Sequence, residues 1–448
     1  MSYPASACVC VSVCCPHFED KRELLLGLAE EFMARGVATT VVLAGKSPCS
    51  HIIRLGGDDS KCELWFNRFK GRATASVATE VVGAQPLLEA EVEDIWKRIV
   101  DERPRVWETY RLDLIARVSI MRRRLGPLTE DDQRVLRDDY EKDTLRHLIY
   151  YRHILRRSKA EVMVYFGGQF HQDHTAFLAT REARISAYAI EKSFVPGCVY
   201  FDEAGVTGAR GAIGARALLH ETKCMVVAVD QRVAVDQLMA RSFHLSEVGL
   251  PHVDRARIRG EMGLGLDDRL VLFLGQIEHD SSLITDGGAF SDQGVAVSAV
   301  HSAVLSLSRT TLVVRPHPKS KTPGDMASAM ASSLGLRVVR EEERPLPTLL
   351  VALHAADVVV TVNSQAGLQA AWLGIPVVTL GHAFYSGQGF TVEAGGHLEL
   401  LQGCLAAALS TSRGAWQSSA VSYISAIRRH MVDRPTPAAL ATRILTKW

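Results

Sequence analysis

Short apolar runs alternate with amphipathic stretches along most of the chain, and this alternation predicts strands separated by helices. In the first half, the apolar runs at 9–13, 39–43, 162–166 and 185–190 are predicted strands. The helical stretches between them include 22–34, where apolar residues recur every three or four positions. Strands separated by helices pair in parallel, because each helix carries the chain back to the edge where the previous strand began.

The second half repeats this alternation and supplies a second predicted sheet. Its predicted strands are 271–274, 311–314, 336–339, 358–361 and 377–380. We therefore predict an α/β fold of two doubly wound, Rossmann-like domains that face each other across a cleft. A cleft between domains is a preferred place for a small molecule.

Helical periodicity and charge set the predicted domain boundaries, and a length of 448 residues suits two domains. Arginine runs in a long helical insertion leave two interpretations open, solvated helix faces or a surface for an anionic acceptor or membrane headgroups. The predicted N-terminal domain covers 1–215 and contains the helical insertion at about 89–159. The predicted C-terminal domain covers 216–425, and the helical tail covers 426–448.

Composition is that of an ordinary globular protein and argues against nucleic-acid binding. Hydrophobic residues make up 47% of the chain, and 51 Lys+Arg against 50 Asp+Glu give a formal net charge of +1. A nucleic-acid-binding domain is expected to be strongly basic. The apolar N-terminus lacks a basic n-region, and no run reaches the roughly 18–20 apolar residues of a membrane span, so we predict a cytoplasmic protein.

The stretch from 361 to 391 contains the most distinctive local pattern. A buried run at 358–361 is followed at once by Asn363 and Ser364, whose short polar side chains suit a helix N-terminus. Gly374 then closes the helix before the next strand. A helix that starts after a strand presents free N–H groups and a positive dipole end, so we predict an anion site here.

Two further loops leave strand ends in the same half and carry polar residues. The first runs from 275 to 282 and the second from 315 to 319. In a doubly wound sheet both loops and the turn at 363–364 project to one edge. The candidate substrate-binding residues at this edge are Gln276, Ser281, Arg315, Pro318, Lys319, Asn363 and Ser364.

The loop at 315–319 has the chemistry of a phosphate site. Arg315, His317 and Lys319 lie close together in the chain, and two prolines fix the backbone that separates them. A histidine can donate a hydrogen bond or a proton to a phosphate oxygen, and the two cations add charge. A basic turn with a capping histidine, and ordinary helix capping at Ser364, are the plainer alternatives. The coincidence of both loops at strand ends favours a nucleotide phosphate.

Two carboxylates that follow predicted buried strands are the candidate catalytic residues, together with His317. Asp280 lies in the first loop, and Glu191 follows the strand at 185–190. A sugar-transfer site needs a carboxylate that stabilises or traps the oxocarbenium centre, and a base that accepts a hydroxyl proton. A loop or capping carboxylate is the plainer interpretation of each.

Further candidates follow the strand at 162–166. Gly168 and Gln169 come after it and are candidate substrate-binding residues. His171 and His174 are three positions apart on a predicted helix and could share a metal ion, but no further ligands accompany them. We therefore predict no metal and no cofactor.

Four stretches of the chain resemble the capsule polysaccharide synthesis family, the group that contains the bacterial β-Kdo transferases of capsule export systems. The stretch at 361–391 is the most specific of them, because many positions match in order. The other three are IEKSFVP with FDEAGVTG (190–208), LGQIEHDS (274–281) and RPHP (315–318).

This resemblance implies a GT-B glycosyltransferase that uses a CMP-activated 3-deoxy-ulosonic acid, typically CMP-β-Kdo, and retains the anomeric configuration without a metal. It implies that His317 and the helix start at Asn363 and Ser364 bind the CMP phosphate. It also implies that Asp280 is the active-site carboxylate and that Glu191 assists acid–base chemistry. The expected partners are the nucleotide-sugar donor and a glycan or glycolipid acceptor of surface polysaccharide synthesis, with peripheral contact to the inner membrane or to an export complex left open.

The sequence departs from the family pattern at three places. Ser-Phe-Val at 193–195 replaces a stretch with an arginine, Thr207 replaces an asparagine, and Gln369 replaces a glutamate. These changes concern the acceptor and the identity of the sugar. Two alternatives therefore stay open, a CMP-sialic acid transferase and a non-catalytic glycan-binding or scaffold protein of an export complex.

Overall fold

Two α/β units make up the chain, and each is built around its own sheet. Unit 1 comprises Met1–Lys192, Gly197–Thr207 and Val432–Trp448, and unit 2 comprises Ser193–Pro196 and Gly208–Met431. The computed structural model describes residues 8–13, 19–43, 78–82, 85–102, 130–167, 171–204, 211–215, 227–245, 253–265, 267–278, 280–320, 325–340 and 348–448.

Strands and helices alternate through the described part of the chain. Up to Asp202 they are β1 (Cys8–Val13), α1 (Glu19–Ala34), β2 (Ala38–Leu43), β3 (Ala78–Val81), α2 (Pro86–Glu102), α3 (Glu130–Ser158), β4 (Val162–Phe166), α4 (His171–Ala183), β5 (Ser186–Lys192) and β6 (Cys198–Asp202). From Val229 on they are α5 (Val229–Ser242), α6 (Arg255–Glu261), β7 (Arg269–Leu274), α7 (Ser281–Asp286), α8 (Gln293–Leu305), β8 (Thr310–Arg315), α9 (Met326–Ser333), β9 (Arg337–Val338), α10 (Thr348–Ala355), β10 (Val358–Thr361), α11 (Ala366–Trp372), β11 (Val377–Thr379), β12 (Val392–Glu393), α12 (Leu401–Ser410), α13 (Gln417–Ile427), β13 (Met431–Asp433) and α14 (Pro437–Lys447).

The sheet of unit 2 has the strand order β12-β11-β10-β7-β8-β9. The pairs β7–β8, β8–β9, β7–β10, β10–β11 and β11–β12 are all parallel. Counted from β7, this is the order 3-2-1-4-5-6 of a doubly wound sheet, and it reverses between β7 and β10. In such sheets ligands bind outside the carboxyl ends of the strands at the point of reversal.

The sheet of unit 1 has the order β13-β6-β5-β4-β1-β2-β3, which follows the same winding around β1 and β4. The strand β1 pairs in parallel with β2 and with β4, whereas β5 and β6 form an antiparallel hairpin. The predicted α/β fold with two doubly wound, Rossmann-like units is therefore confirmed.

The hairpin strand β6 is not among the predicted strands, because 191–211 shows no clear periodicity in the sequence. The structure shows β6 fully buried and paired with β5 in the register Ile190 to Phe201. The rings of Tyr188 and Phe201 stack with their centroids 5.0 Å apart across this pair. The cross-strand aromatic contact thus stabilises a strand that local periodicity does not reveal.

The C-terminal helices divide between the two units. The helix α13 lies within unit 2, while the residues from Val432 onward belong to unit 1. There α14 packs on α1 and buries Leu440, Ile444 and Leu445 in the same core as Leu28. The predicted tail at 426–448 is thus shared between units, and its last helix completes one face of the first sheet.

The predicted helical insertion is described in part, as α2 and α3. Arg146 of α3 pairs with Glu89 of α2 at 3.0 Å, and Lys142 pairs with Glu93 at 2.5 Å. The second half of α3 packs its apolar residues into the core on the other face of the unit 1 sheet. This part of the insertion therefore belongs to the core of unit 1. The arginines at 122–124 lie outside the described residues. Among the helices described, none is long and apolar enough to cross a membrane.

A carboxylate at the amino edge of sheet 2 ties α6, β7 and β10 together. Asp357, just before β10, accepts hydrogen bonds from the Leu270 N–H at 2.7 Å, from Arg259 at 2.9 Å and from Arg255. Arg259 is itself buried and also donates to the Ala355 carbonyl. Partial burial alone would raise the pKa of Asp357, but these bonds and the two guanidinium charges outweigh it and lower the pKa.

Replacing Asp357 with Asn is expected to destabilise unit 2 by about 1–3 kcal/mol at pH 7, because the two arginines lose the carboxylate charge and one of its oxygens becomes an NH2 group that cannot accept a hydrogen bond. A lowered aspartate pKa stabilises the fold above the ordinary aspartate pKa and loses that effect as the pH falls through the lowered value. The difference between wild type and variant in urea unfolding should therefore shrink in acid. The control is Asp267→Asn, an exposed partner of Arg309, which should change little. An equal effect of both variants would contradict the assignment.

Candidate functional site

Three loops meet at the carboxyl edge of sheet 2, around the point where its strand order reverses. They follow β7, β8 and β10, which are adjacent parallel strands, so their carboxyl ends point the same way. The Gly275 N–H donates to the Arg315 carbonyl at 2.8 Å and joins the first two loops directly. A Cβ at Gly275 would lie 3.1 Å from the Pro316 Cα, which explains the glycine at this close approach.

A reciprocal amide pair joins the loops after β7 and β10. Gln276 donates through Nε2 to Asn363 Oδ1 at 2.7 Å, and its Oε1 accepts the Asn363 main-chain N–H at 3.0 Å. Both side chains are buried, with relative exposures of 5% and 4%. In the structure, these two candidate substrate-binding residues join the loops to each other.

Asp280 caps the short helix α7 and is joined to Asn363 through Ser282. Its Oδ1 accepts the Ser282 N–H at 2.9 Å and the Ser282 hydroxyl at 2.8 Å. The Ser282 carbonyl in turn accepts Asn363 Nδ2 at 2.7 Å. Ser281 is the first residue of α7 and is half-buried beside the carboxylate. Asp280 is therefore a helix cap, and this role holds its Oδ1 in place. The described hydrogen bonds of the carboxylate all involve Oδ1, so Oδ2 can contact a ligand.

The loop after β8 presents a histidine in a defined tautomer. The Lys319 main-chain N–H donates to His317 Nδ1 at 3.1 Å, so Nδ1 carries no proton and the neutral ring carries its proton on Nε2. Arg315 is buried at the end of β8, whereas Pro318 and the Lys319 side chain are exposed. The loop therefore offers one N–H donor and nearby positive charge to an anion.

The charges around His317 agree with a neutral ring. Burial lowers the pKa of His317, the charges of Arg315 and Lys319 lower it further, and the Asp280 carboxylate partly offsets them. This influence of Asp280 shows that the carboxylate loop and the histidine loop share one electrostatic environment. Protonation of Nδ1 would also break the hydrogen bond from the Lys319 N–H, so this bond and the surrounding charges both favour the neutral ring.

The turn before α11 offers fewer open N–H groups than the sequence suggests. The Ser364 N–H donates to Thr361 Oγ1 at 3.2 Å, the Ala366 N–H to Ser364 Oγ at 3.3 Å, and the Gly367 N–H to the Ser364 carbonyl at 3.0 Å. Tyr385 donates its hydroxyl to the same carbonyl at 2.5 Å. The Ser364 hydroxyl hydrogen can still reach a ligand, so a bound anion here depends more on that hydroxyl and on His317 than on helix N–H groups.

The glutamine that replaces a family glutamate has a local role. Gln369 is buried in α11 and donates through Nε2 to the Ser242 hydroxyl at 2.9 Å and to the Ser242 carbonyl at 3.1 Å. A glutamate carboxylate could not donate these bonds. This departure therefore concerns the packing of α11 on α5 and leaves the three loops intact.

The remaining candidates lie in unit 1. Glu191 is the penultimate residue of β5, half-buried, and its Oε1 accepts the Lys192 N–H at 2.8 Å. Gly168 and Gln169 lie outside the described residues. His174 is buried in the first turns of α4. The structure thus brings the unit 2 candidates together around one edge, and Glu191 belongs to the other unit.

Two polar residues of the site were not predicted from the sequence. Gln293, the first residue of α8, is 1% exposed and bonds the backbone of Gln276 on both sides, at 2.6 Å and 2.7 Å. Glu278 accepts from Gln293 Nε2 at 2.8 Å and from the Met326 N–H at 3.2 Å. Gln293 lies on a helix outside every polar loop, so no spacing in the sequence points to it.

The comparisons with known proteins agree with this location. Residues 254–402 match the family described as capsule polysaccharide biosynthesis protein, which confirms the predicted family for the segment that holds all three loops. Comparison with curated protein sequences finds no match.

Several solved structures are distantly similar. The KpsC β-Kdo 2,7 transferase of Thermosulfurimonas dismutans is 16% identical, with a TM-score of 0.39, over 66% of this chain and 88% of that chain. A putative UDP-N-acetylglucosamine 2-epimerase of Listeria monocytogenes is 16% identical, with a TM-score of 0.34, over 98% and 94%. WaaG, a glycosyltransferase involved in lipopolysaccharide biosynthesis, is 17% identical, with a TM-score of 0.36, over 97% and 99%.

The pKa of His317 should respond to its neighbours in opposite directions. In histidine NMR titrations, with His317→Gln used to assign the signal, the wild-type ring should titrate below the ordinary value of about 6.5. Asp280→Asn removes a negative charge and should lower the pKa further, whereas Lys319→Met removes a positive charge and should raise it. A wild-type pKa above 6.5, or no response to either variant, would contradict the described geometry.

Proposed function

We propose that this chain, whose residues 254–402 belong to the capsule polysaccharide biosynthesis family, is a glycosyltransferase of surface polysaccharide synthesis that transfers a Kdo-like 3-deoxy-ulosonic acid from CMP to a glycan or glycolipid acceptor, with retention. One observation carries the proposal. A neutral histidine with its proton on Nε2 shares its surroundings with the cations Arg315 and Lys319 and with the carboxylate of Asp280, at the carboxyl edge of a doubly wound sheet.

The donor end of the proposed reaction is the departure of CMP. Breaking the bond between the anomeric carbon and the phosphate oxygen leaves a second negative charge on the phosphate. His317 Nε2–H donates to that oxygen, Lys319 adds positive charge, and the Ser364 hydroxyl supplies a further donor. All three groups bind the leaving group more strongly as its charge develops, which is what accelerates the step.

The sugar end of the proposed reaction requires a carboxylate at the anomeric carbon. Asp280 Oδ2 stabilises the oxocarbenium centre or bonds to it, while Ser282 holds Oδ1 in place. Where Asp280 bonds, the bond from the anomeric carbon to the CMP phosphate breaks as the bond to Asp280 Oδ2 forms. In the second displacement the bond to Asp280 breaks as the acceptor oxygen bonds to that carbon and its proton passes to a base, and the two displacements together retain the configuration. We assign that base to Glu191, and Gly168 and Gln169 to the substrate-binding residues of the first unit.

The donor assignment supports an expectation about nucleotides. In calorimetric titrations the protein should bind CMP at least about tenfold more tightly than UDP, and it should release CMP from CMP-Kdo when a glycan acceptor is supplied. Preference for UDP would contradict the proposal. Faster turnover of CMP-sialic acid than of CMP-Kdo would identify a sialyltransferase, and glycan binding without release of CMP from either donor would identify a non-catalytic scaffold.

Asp280→Asn tests the carboxylate without removing the helix cap, because asparagine also caps helices well. The turnover number kcat should fall at least about 100-fold. The affinity for CMP should stay the same or rise, since a negative charge beside the anion is lost. Wild-type kcat in this variant would remove Asp280 from the mechanism.

His317→Ala tests the phosphate contact. Loss of a charge-assisted hydrogen bond should weaken CMP binding by about 10- to 100-fold, equivalent to about 1.5–3 kcal/mol. The matched control is His301→Ala, in the second half of α8, where the helix has left the carboxyl edge. Equal losses in both variants would show a general effect on folding and would contradict the contact.

A further inference from the structure

The three loops of the site are held by a chain of buried amides that starts outside them. Gln293 lies at the first position of α8 and is 1% exposed. Its Oε1 accepts the Gln276 N–H at 2.6 Å, and its Nε2 donates to the Gln276 carbonyl at 2.7 Å and to Glu278 Oε1 at 2.8 Å. One side chain thus fixes both peptide groups of the residue that pairs with Asn363.

The chain of bonds continues from Gln276 to the carboxylate. The Gln276 side chain pairs with Asn363, Asn363 donates to the Ser282 carbonyl, and Ser282 donates twice to Asp280. Every link is a bond of 2.6–3.0 Å. The bonds among Gln293, Gln276 and Asn363 are buried, and those that run through Ser282 to Asp280 are partly buried. Hydrogen bonds are stronger where water is excluded, so this chain restrains the groups that it joins.

The histidine loop is attached to the same point. Ser320 donates its hydroxyl to the Gln276 carbonyl at 3.3 Å, and its N–H donates to the His317 carbonyl at 2.8 Å. The Gln276 carbonyl therefore accepts from the loop after β8 and from Gln293 together. The carboxylate, the histidine loop and the turn at Ser364 are thus all linked to Gln276, the histidine loop through its carbonyl and the other two through its side chain and Asn363.

We propose that Gln293, supported by Glu278, is the positioning residue of the donor site. By holding the Gln276 backbone from both sides, it sets the Asp280 carboxylate in register with the phosphate-binding groups of His317 and Ser364. Gln293 touches no substrate in this account. The proposal rests on the proposed function, because its effect is on the relative placement of the groups that bind phosphate and sugar.

The first test replaces Gln293 with Met, which has a similar length and no hydrogen bonds. Misplacement of a catalytic group by about 1 Å costs about 100-fold in rate, so kcat per site should fall about 10- to 100-fold. The Kd for CMP should change less than about threefold, because the phosphate contacts remain. Sites are counted by the stoichiometry of the CMP titration, so misfolded protein does not enter kcat.

The matched control is Gln417→Met. Gln417 also donates an amide hydrogen bond to a main-chain carbonyl, that of Trp372, at 2.8 Å, and none of its described contacts involves the three loops. A merely structural role of Gln293 would lower the yield of CMP-binding sites and leave kcat per site unchanged, as expected for the control. That result for Gln293→Met would overturn the proposal.

A second test uses the contact between Gln293 and Glu278. Gln293→Glu places two carboxylates side by side and removes both donated bonds, so kcat per site should fall at least as far as in Gln293→Met. The double change Gln293→Glu with Glu278→Gln restores a donor and an acceptor at this contact but not the bond to the Gln276 carbonyl, so it should recover part of the kcat that Gln293→Glu loses. Failure of the double variant to recover any kcat would contradict the role of Glu278.

The outcomes also separate this proposal from the proposed function. Wild-type protein that neither binds CMP nor transfers a sugar from it would overturn both. Wild-type transfer together with unchanged kcat per site in Gln293→Met would overturn the positioning role alone and leave the proposed function standing.

Discussion

The pairing of Gln276 with Asn363 is the interaction on which the described site depends. The Gln276 side-chain amide donates to Asn363 Oδ1 at 2.7 Å and accepts the Asn363 main-chain N–H at 3.0 Å, and so joins the loops after β7 and β10. Sheet order alone brings the two loops to the same edge, but it does not fix them to each other. Because both groups are buried, an unmatched partner would cost about 1–3 kcal/mol, so the pair holds the loops in one arrangement.

The same edge holds a negatively charged carboxylate and a neutral histidine ring with cations around it. Asp280 is held as a helix cap, and His317 is held neutral by burial, by Arg315 and Lys319, and by the bond from the Lys319 N–H. A neutral ring with its proton on Nε2 can donate a hydrogen bond to an anion, and that bond strengthens as the anion gains charge during a reaction. The carboxylate nearby suits the positive centre that the departing anion leaves behind. These two groups together make nucleotide-sugar chemistry the function that the site supports best.

The sequence allowed the doubly wound fold and the three loops to be predicted, because both follow from local signals. Central strands such as β7 and β10 are buried on both faces and therefore appear as continuous apolar runs. The strand β6 escaped prediction because its stretch of the chain shows no clear periodicity, although its hairpin partner β5 is close in sequence. The attachment of α14 to α1 escaped prediction because it joins residues far apart in the chain. Gln276 and Asn363 were predicted to bind substrate because polarity at a strand end is visible in the sequence, and that role stays a prediction. The hydrogen bonds between them are not visible in the sequence, because the two residues are far apart in the chain. Gln293 had no signal at all.

The measurement that tests the central claim most directly is a crystal structure of the protein with CMP bound. We expect one phosphate oxygen within about 3 Å of His317 Nε2, a second contact from the Ser364 hydroxyl, and no displacement of the Gln276–Asn363 pair. A nucleotide bound elsewhere, or a phosphate that contacts neither His317 nor Ser364, would contradict the account.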